Sequence, residues 1–218
     1  MPKITYVGRF RLRWPLSPLM ALAFVALTIA AAKAQPTEPA LQAFQTFEKT
    51  TQDYVRVHRR LEEQIGPIEI GTPATEINRI IRQLATAIRA DRADAKQGDF
   101  FTPSLTRVLR TRIKDALLEH GYTADDVRAA GRVDGVDNER VSLQVNDTFP
   151  WRLGAAMFPC VIEVLPPLPP ELQCRFVGDD LILIDIHASL IVDILPSALN
   201  DVTARNSRRQ GSVSWPCV

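Results

Sequence analysis

The chain has 218 residues, 26 Lys+Arg against 25 Asp+Glu, and a formal net charge of +1. Without the basic N-terminal segment, residues 1–34, the balance is mildly acidic, which gives no electrostatic footprint for nucleic acid or for an anionic membrane surface. Its three cysteines, Cys160, Cys174 and Cys217, are too few and too far apart for a zinc motif, and no C-x-x-C occurs.

The first element is an export signal over residues 1–34. Lys3, Arg9, Arg11 and Arg13 precede any acidic residue, an apolar run follows from Leu19 to Ala32, and Ala32-Lys33-Ala34 supplies small residues at the cleavage positions. The run is 14 residues long, short of the roughly 20 that cross a bilayer. The expectation is therefore a cleaved signal, a mature N-terminus at Gln35, no membrane span after cleavage, and a periplasmic or extracellular location. The segment holds five of the basic residues and none of the acidic ones, so the remainder carries 21 against 25, a net of −4. In an oxidising compartment Cys160 and Cys174 are the candidates for a disulfide, since a Pro-rich turn between them can return the chain.

Residues 35–131 read as helical. Phe44, Phe47, Thr51, Tyr54, His58, Leu61 and Ile65 recur at alternating spacings of three and four, one seam of a long helix that Gly66-Pro67 ends. His58 lies on that seam and reads as a core histidine, with no second His or Cys one turn away. Thr72-Pro73 opens a second helix, with Ile77, Ile81, Leu84 and Ile88 as its stripe and Gly98 as its end. Arg79, Arg82, Arg89 and Arg92 lie off that stripe and read, with Asp91 and Asp94, as a solvated mixed-charge face. Thr102-Pro103 starts a third helix that Gly121 closes, and Thr123 to Asp126 caps a short fourth. Three long amphipathic helices with short connections imply a bundle or a V-shaped array.

Residues 132–198 read as a strand and hairpin region packing on the helices. Asp134, Asp137 and Glu139 lie in a turn-rich loop that lacks the order of a calcium loop. Val141 to Val145 alternates as a strand, and Pro159 to Leu165 is a helical turn before an extended Pro-rich spacer. Cys174–Val177, Leu181–Asp185 and Leu190–Ile194 then form a three-stranded meander. Its last two strands are apolar throughout, so both faces should be covered, by the helices. The fold class expected is α+β, and residues 199–218 read as a disordered tail.

Asp185, His187 and Ser189 invite a hydrolase reading, but they crowd into one turn and no G-x-S-x-G elbow occurs. Asp185 has a plain task there, accepting bonds from turn amides. Asp185 and His187 stay the weak catalytic candidates, and a hydrolase or lyase reading requires a pocket in which His187 meets a carboxylate from another element. The chain has no P-loop, no G-x-G-x-x-G and no H-x-x-x-H, so no cofactor and no metal ligands are expected.

Three segments carry a resemblance. F-x-x-x-x-x-x-Y-V-x-x-H-R-x-L-E at Phe47 to Glu62, A-I-R-A-x-R-A-x-A-x-x-G-D-x-F-T-P at Ala87 to Pro103, and the block from Leu165 to Asp193 resemble a family of exported bacterial proteins with no activity attached to it. Gln173-Cys174 and Asp180 depart from that pattern. The resulting expectation is a non-enzymatic exported module that binds an envelope component. The alternatives are an envelope hydrolase or lyase, or a metal or small-ligand sensor.

Overall fold

The computed structural model describes residues 38–132, 142–200 and 202. The export segment, the acidic loop over 133–141 and Cys217 lie outside the described residues. Helix α1 (Glu38–Ile65) follows the predicted seam, with Ala43, Phe47, Thr51, Tyr54, Val55 and His58 buried along it. Gly66 ends it with φ at +100°, a conformation glycine adopts without strain.

Helix α2 (Ala74–Asp91) begins one residue later than expected. Pro73 is its N-cap, and the Thr72 hydroxyl instead accepts from the amide of Glu69 at 3.1 Å. The helix also stops at Asp91 rather than at Gly98. The reason is Asp193, whose buried carboxylate accepts from the amides of Gly98, Phe100 and Phe101 at 2.8–2.9 Å and pulls that stretch out of helical register. Arg89 and Arg92 are not a free charged face either. Arg89 Nε donates to the Asn146 carbonyl at 2.7 Å and Arg92 Nη2 to the Val192 carbonyl at 3.0 Å, tying α2 and its end to later elements.

Helix α3 (Pro103–Glu119) has the predicted cap, with Thr102 Oγ1 accepting from the Leu105 amide. Its stripe, Leu105, Leu109, Ile113 and Leu117, has no solvent exposure. Helix α4 (Ala124–Ala130) opens on a complete capping box between Thr123 and Asp126. A single helical turn, α5 (Pro159–Ile162), packs on α3, and α1 packs on both α2 and α3.

Strands β1 (Leu172–Val177), β2 (Asp180–Asp185) and β3 (Leu190–Leu195) form an antiparallel meander in sequence order. The fold is α+β, with several helices and one small C-terminal sheet. Leu183 pairs with Asp193 and Ile184 with Ile191, so Val192 is the extra residue of a bulge. The pleat puts Leu181, Leu183 and Asp185 on the helix side of β2, while Ile182 and Ile184 belong to the core on the opposite face. The bulge lets Val192 join the helix-side core next to Asp193, and β3 returns to alternation at Ile194 and Leu195.

Both sheet faces are covered, but only one by helices. On the other, Phe149 and Leu143 from the connection before the sheet close over Ile182, Ile184, Ile191 and Ile194. Ser142 to Val145 is not the strand its alternation suggested. The amides of Asn146 and Phe149 donate to the Ile191 and Ser189 carbonyls, and the Asp147 carbonyl accepts from the Ile191 amide, which holds this segment on β3 instead. The residues read as a tail also begin inside the molecule: Leu199 and Val202 are buried in the helix-side core. Cys160 and Cys174, the candidate disulfide, are both buried free cysteines. They act as small apolar side chains, and burial pushes the Cys174 thiol up to about 12.

Candidate functional site

Asp185 is the last residue of β2, on the side that faces α1, and its side chain has no solvent exposure. One carboxylate oxygen does the work expected of a turn residue, Oδ1 accepting from the amides of His187 at 3.0 Å and Ala188 at 2.9 Å. The other reaches the helix. Oδ2 accepts from the Tyr54 hydroxyl at 2.6 Å and contacts His58 Nδ1 at 2.6 Å. Tyr54 and His58 are one helical turn apart on the buried seam of α1, which is why one carboxylate meets both.

The electrostatics follow from this packing. Burial alone would raise the Asp185 carboxyl, but His58, Tyr54 and the Ala188 amide hold it below its usual 3.8. Burial disfavours the His58 imidazolium, yet Asp185 and Glu62 raise it above its usual 6.5. Tyr54 is pushed far up by burial and by the adjoining negative charge, so it stays a hydroxyl donor. Arg92 lies over the Tyr54 ring at 5.3 Å and adds positive charge behind it.

Glu62 is the next residue along the same face of α1, four after His58. Its Oε2 is 3.5 Å from His58 Nε2, beyond useful hydrogen-bond range for that pair, and its Oε1 is 2.9 Å from His187 Nδ1. His187 thus meets a carboxylate from another element, the arrangement that the hydrolase or lyase reading requires. The two imidazole rings lie with centroids 5.3 Å apart. His58 Nε2 is buried and makes no hydrogen bond.

Glu62 and His187 line a cavity of about 720 Å³. Most of the rest of the wall is aliphatic: Ile65 at the end of α1, Ile68 beyond it, Ile80, Ile81 and Leu84 from α2, and Ile186 from the β2–β3 turn, with Glu63 as a third polar side chain. Behind the turn, Glu171 accepts from Arg59 Nε at 2.6 Å, and its carbonyl holds the amide of Ile186 at 3.0 Å, fixing the turn against α1.

Of the sequence candidates, Asp185 and His187 are at the site. Ser189 is not part of it, since its hydroxyl accepts from Trp151 Nε1 at 3.1 Å. His120 caps the end of α3, with Nδ1 2.9 Å from the Ala116 carbonyl. Sequence reasoning missed Tyr54 and Glu62 as site residues and read His58 only as a core histidine. The signal was the Tyr54, His58, Glu62 spacing of four and four, which aligns three polar side chains on a helix face otherwise lined by apolar ones. No family model, curated protein or solved structure matches this chain.

Proposed function

We propose that the protein is an exported, non-enzymatic binding module of the bacterial envelope that holds a small amphipathic ligand in the cavity between α1, α2 and the β2–β3 turn. The observation that carries this is the make-up of the wall: a largely aliphatic surface with three polar side chains, Glu62, Glu63 and His187. Pockets that orient a ligand combine a large apolar lining with a few placed polar groups, and about 720 Å³ lies within the size range of small-molecule sites. The export reading rests on the order of basic, apolar and A-x-A segments in residues 1–34. Among the described residues no helix is long and apolar enough to cross a membrane.

The contact between His187 and Glu62 favours a second reading, a hydrolase or lyase with His187 as general base. It ranks lower because the wall is chiefly aliphatic and supplies only Glu63 as a polar side chain beyond the Glu62–His187 pair.

Titration with the neutral fluorophore N-phenyl-1-naphthylamine tests the first reading. Saturable, one-to-one enhancement that Ile81→Glu abolishes without loss of helical signal supports it. Absence of saturable binding, or binding unchanged in Ile81→Glu, contradicts it. Hydrolysis of a p-nitrophenyl ester that disappears in His187→Ala would put the enzyme reading first.

A further inference from the structure

We propose that His58, Glu62 and His187 bind a divalent first-row transition-metal ion, with Asp185 as the positioning residue for His58. This inference does not depend on the aliphatic cavity having a ligand, and either reading can fail without the other.

The first ground is the state of the His58 ring. Its side chain is fully buried, and Nδ1 is committed to Asp185 at 2.6 Å. A carboxylate only accepts, so Nδ1 carries the hydrogen and Nε2 is the nitrogen left for another partner. Nε2 makes no hydrogen bond in the protein, and buried polar atoms are as a rule paired. Glu62 Oε2 stands 3.5 Å from it, and the His187 ring lies beside the His58 ring with centroids 5.3 Å apart.

The second ground is how those groups converge. Glu62 stands one turn after His58 on the same face of α1, and His187 comes from the β2–β3 turn. One ligand atom from each of the three lies within 4.8 Å of the others. Donors around a tetrahedral ion, at bond lengths of about 2.0–2.2 Å, stand about 3.3–3.6 Å apart. Glu62 approaches both histidines on that scale, with Oε2 3.5 Å from His58 Nε2 and Oε1 2.9 Å from His187 Nδ1. Glu62 and His187 are each about 40% exposed at the side chain, so they are free to close on an ion, while His58 is fixed in advance.

The third ground is Asp185. A metal-binding imidazole usually donates its other N–H to a carboxylate, which sets the ring's orientation and strengthens it as a donor. Asp185 makes that bond here, and its other oxygen is anchored by the His187 and Ala188 amides at the base of the second histidine. One buried carboxylate therefore aligns one ligand and shapes the turn that presents another.

The donor set selects the class of ion. Two imidazoles and one carboxylate suit zinc and its first-row neighbours, whereas calcium and magnesium prefer oxygen donors in larger number. Three protein donors leave a coordination position open. Since Glu62 and His187 also line the cavity, an ion held by them lies at the cavity wall.

The competing account is a surface pair between His187 and Glu62 above a purely structural histidine, and it forecasts no specific metal uptake. Chelator-treated mature protein is titrated with ZnCl₂ by calorimetry, and with Co²⁺ by visible absorption. The expected result is one zinc per chain, with Glu62→Gln and His187→Ala each weakening it by at least about 100-fold, and Asp185→Asn by about 10–100-fold. Circular dichroism checks that each variant is folded. In the unaltered protein, ring ¹⁵N signals of His58 and His187 should shift with stoichiometric zinc. No zinc uptake, uptake unchanged in both Glu62→Gln and His187→Ala, or zinc binding that leaves both rings unshifted overturns the proposal.

Discussion

Asp185 shows how much more one side chain does than its turn suggested. As a turn cap alone its loss would cost about 1 kcal/mol. In the structure it also holds Tyr54 and His58, so Asp185→Ala strands a buried hydroxyl, a buried ring nitrogen and two amides. Unpaired buried groups cost about 1–3 kcal/mol each, and the expected loss is at least about 3 kcal/mol by urea denaturation. His187→Ala, at a half-exposed position, should stay within about 1 kcal/mol. The pH dependence has a definite sign. A carboxyl held below its usual 3.8 stabilises the fold above that value and loses the contribution as pH falls through the lower folded pKa. Metal-free protein should therefore lose stability below about pH 4, and Asp185→Asn should flatten that limb of the urea midpoint measured against pH.

At the level of elements, the meander was legible because its two apolar runs and its Gly-Asp turn are local signals. The strands lie within a residue or two of where alternation and turn chemistry placed them. Leu183, fully buried on the helix side of β2, tests that reading: Leu183→Asp should abolish the cooperative unfolding transition. What local pattern did not reveal was fixed by long-range partners. The end of α2 depends on Asp193, about 100 residues later in the chain, taking the amides of Gly98, Phe100 and Phe101. Asp193→Ala should leave the sheet formed but speed hydrogen exchange at those three amides by more than tenfold relative to the β2 amides. The segment before the sheet misled in the same way. Its alternation is real, but Phe149 finds its place by covering the far face of the sheet, with Thr148 making only an isolated bridge to Leu190.

For the whole molecule, the site lies where the first helix meets the last hairpin turn, elements separated by more than 120 residues. The sequence exposed each half: a face of α1 carrying Tyr54, His58 and Glu62 at spacings of four, and an Asp-x-His turn between apolar strands. It could not show that they face each other, because that contact depends on which side of β2 the pleat gives to the helices. The export proposal rests on the N-terminal segment alone, and it predicts that Edman sequencing of exported protein begins at Gln35. A start at Met1 would remove both the export reading and the net charge of −4 drawn from it.

The most direct test of the account is methyl NMR of protein labelled at isoleucine, titrated with N-phenyl-1-naphthylamine. The prediction is saturable shifts confined to Ile65, Ile68, Ile80, Ile81 and Ile186, the isoleucines of the cavity wall. Shifts centred on Ile182, Ile184, Ile191 and Ile194, which line the opposite face of the sheet, or no shifts at all, would contradict it.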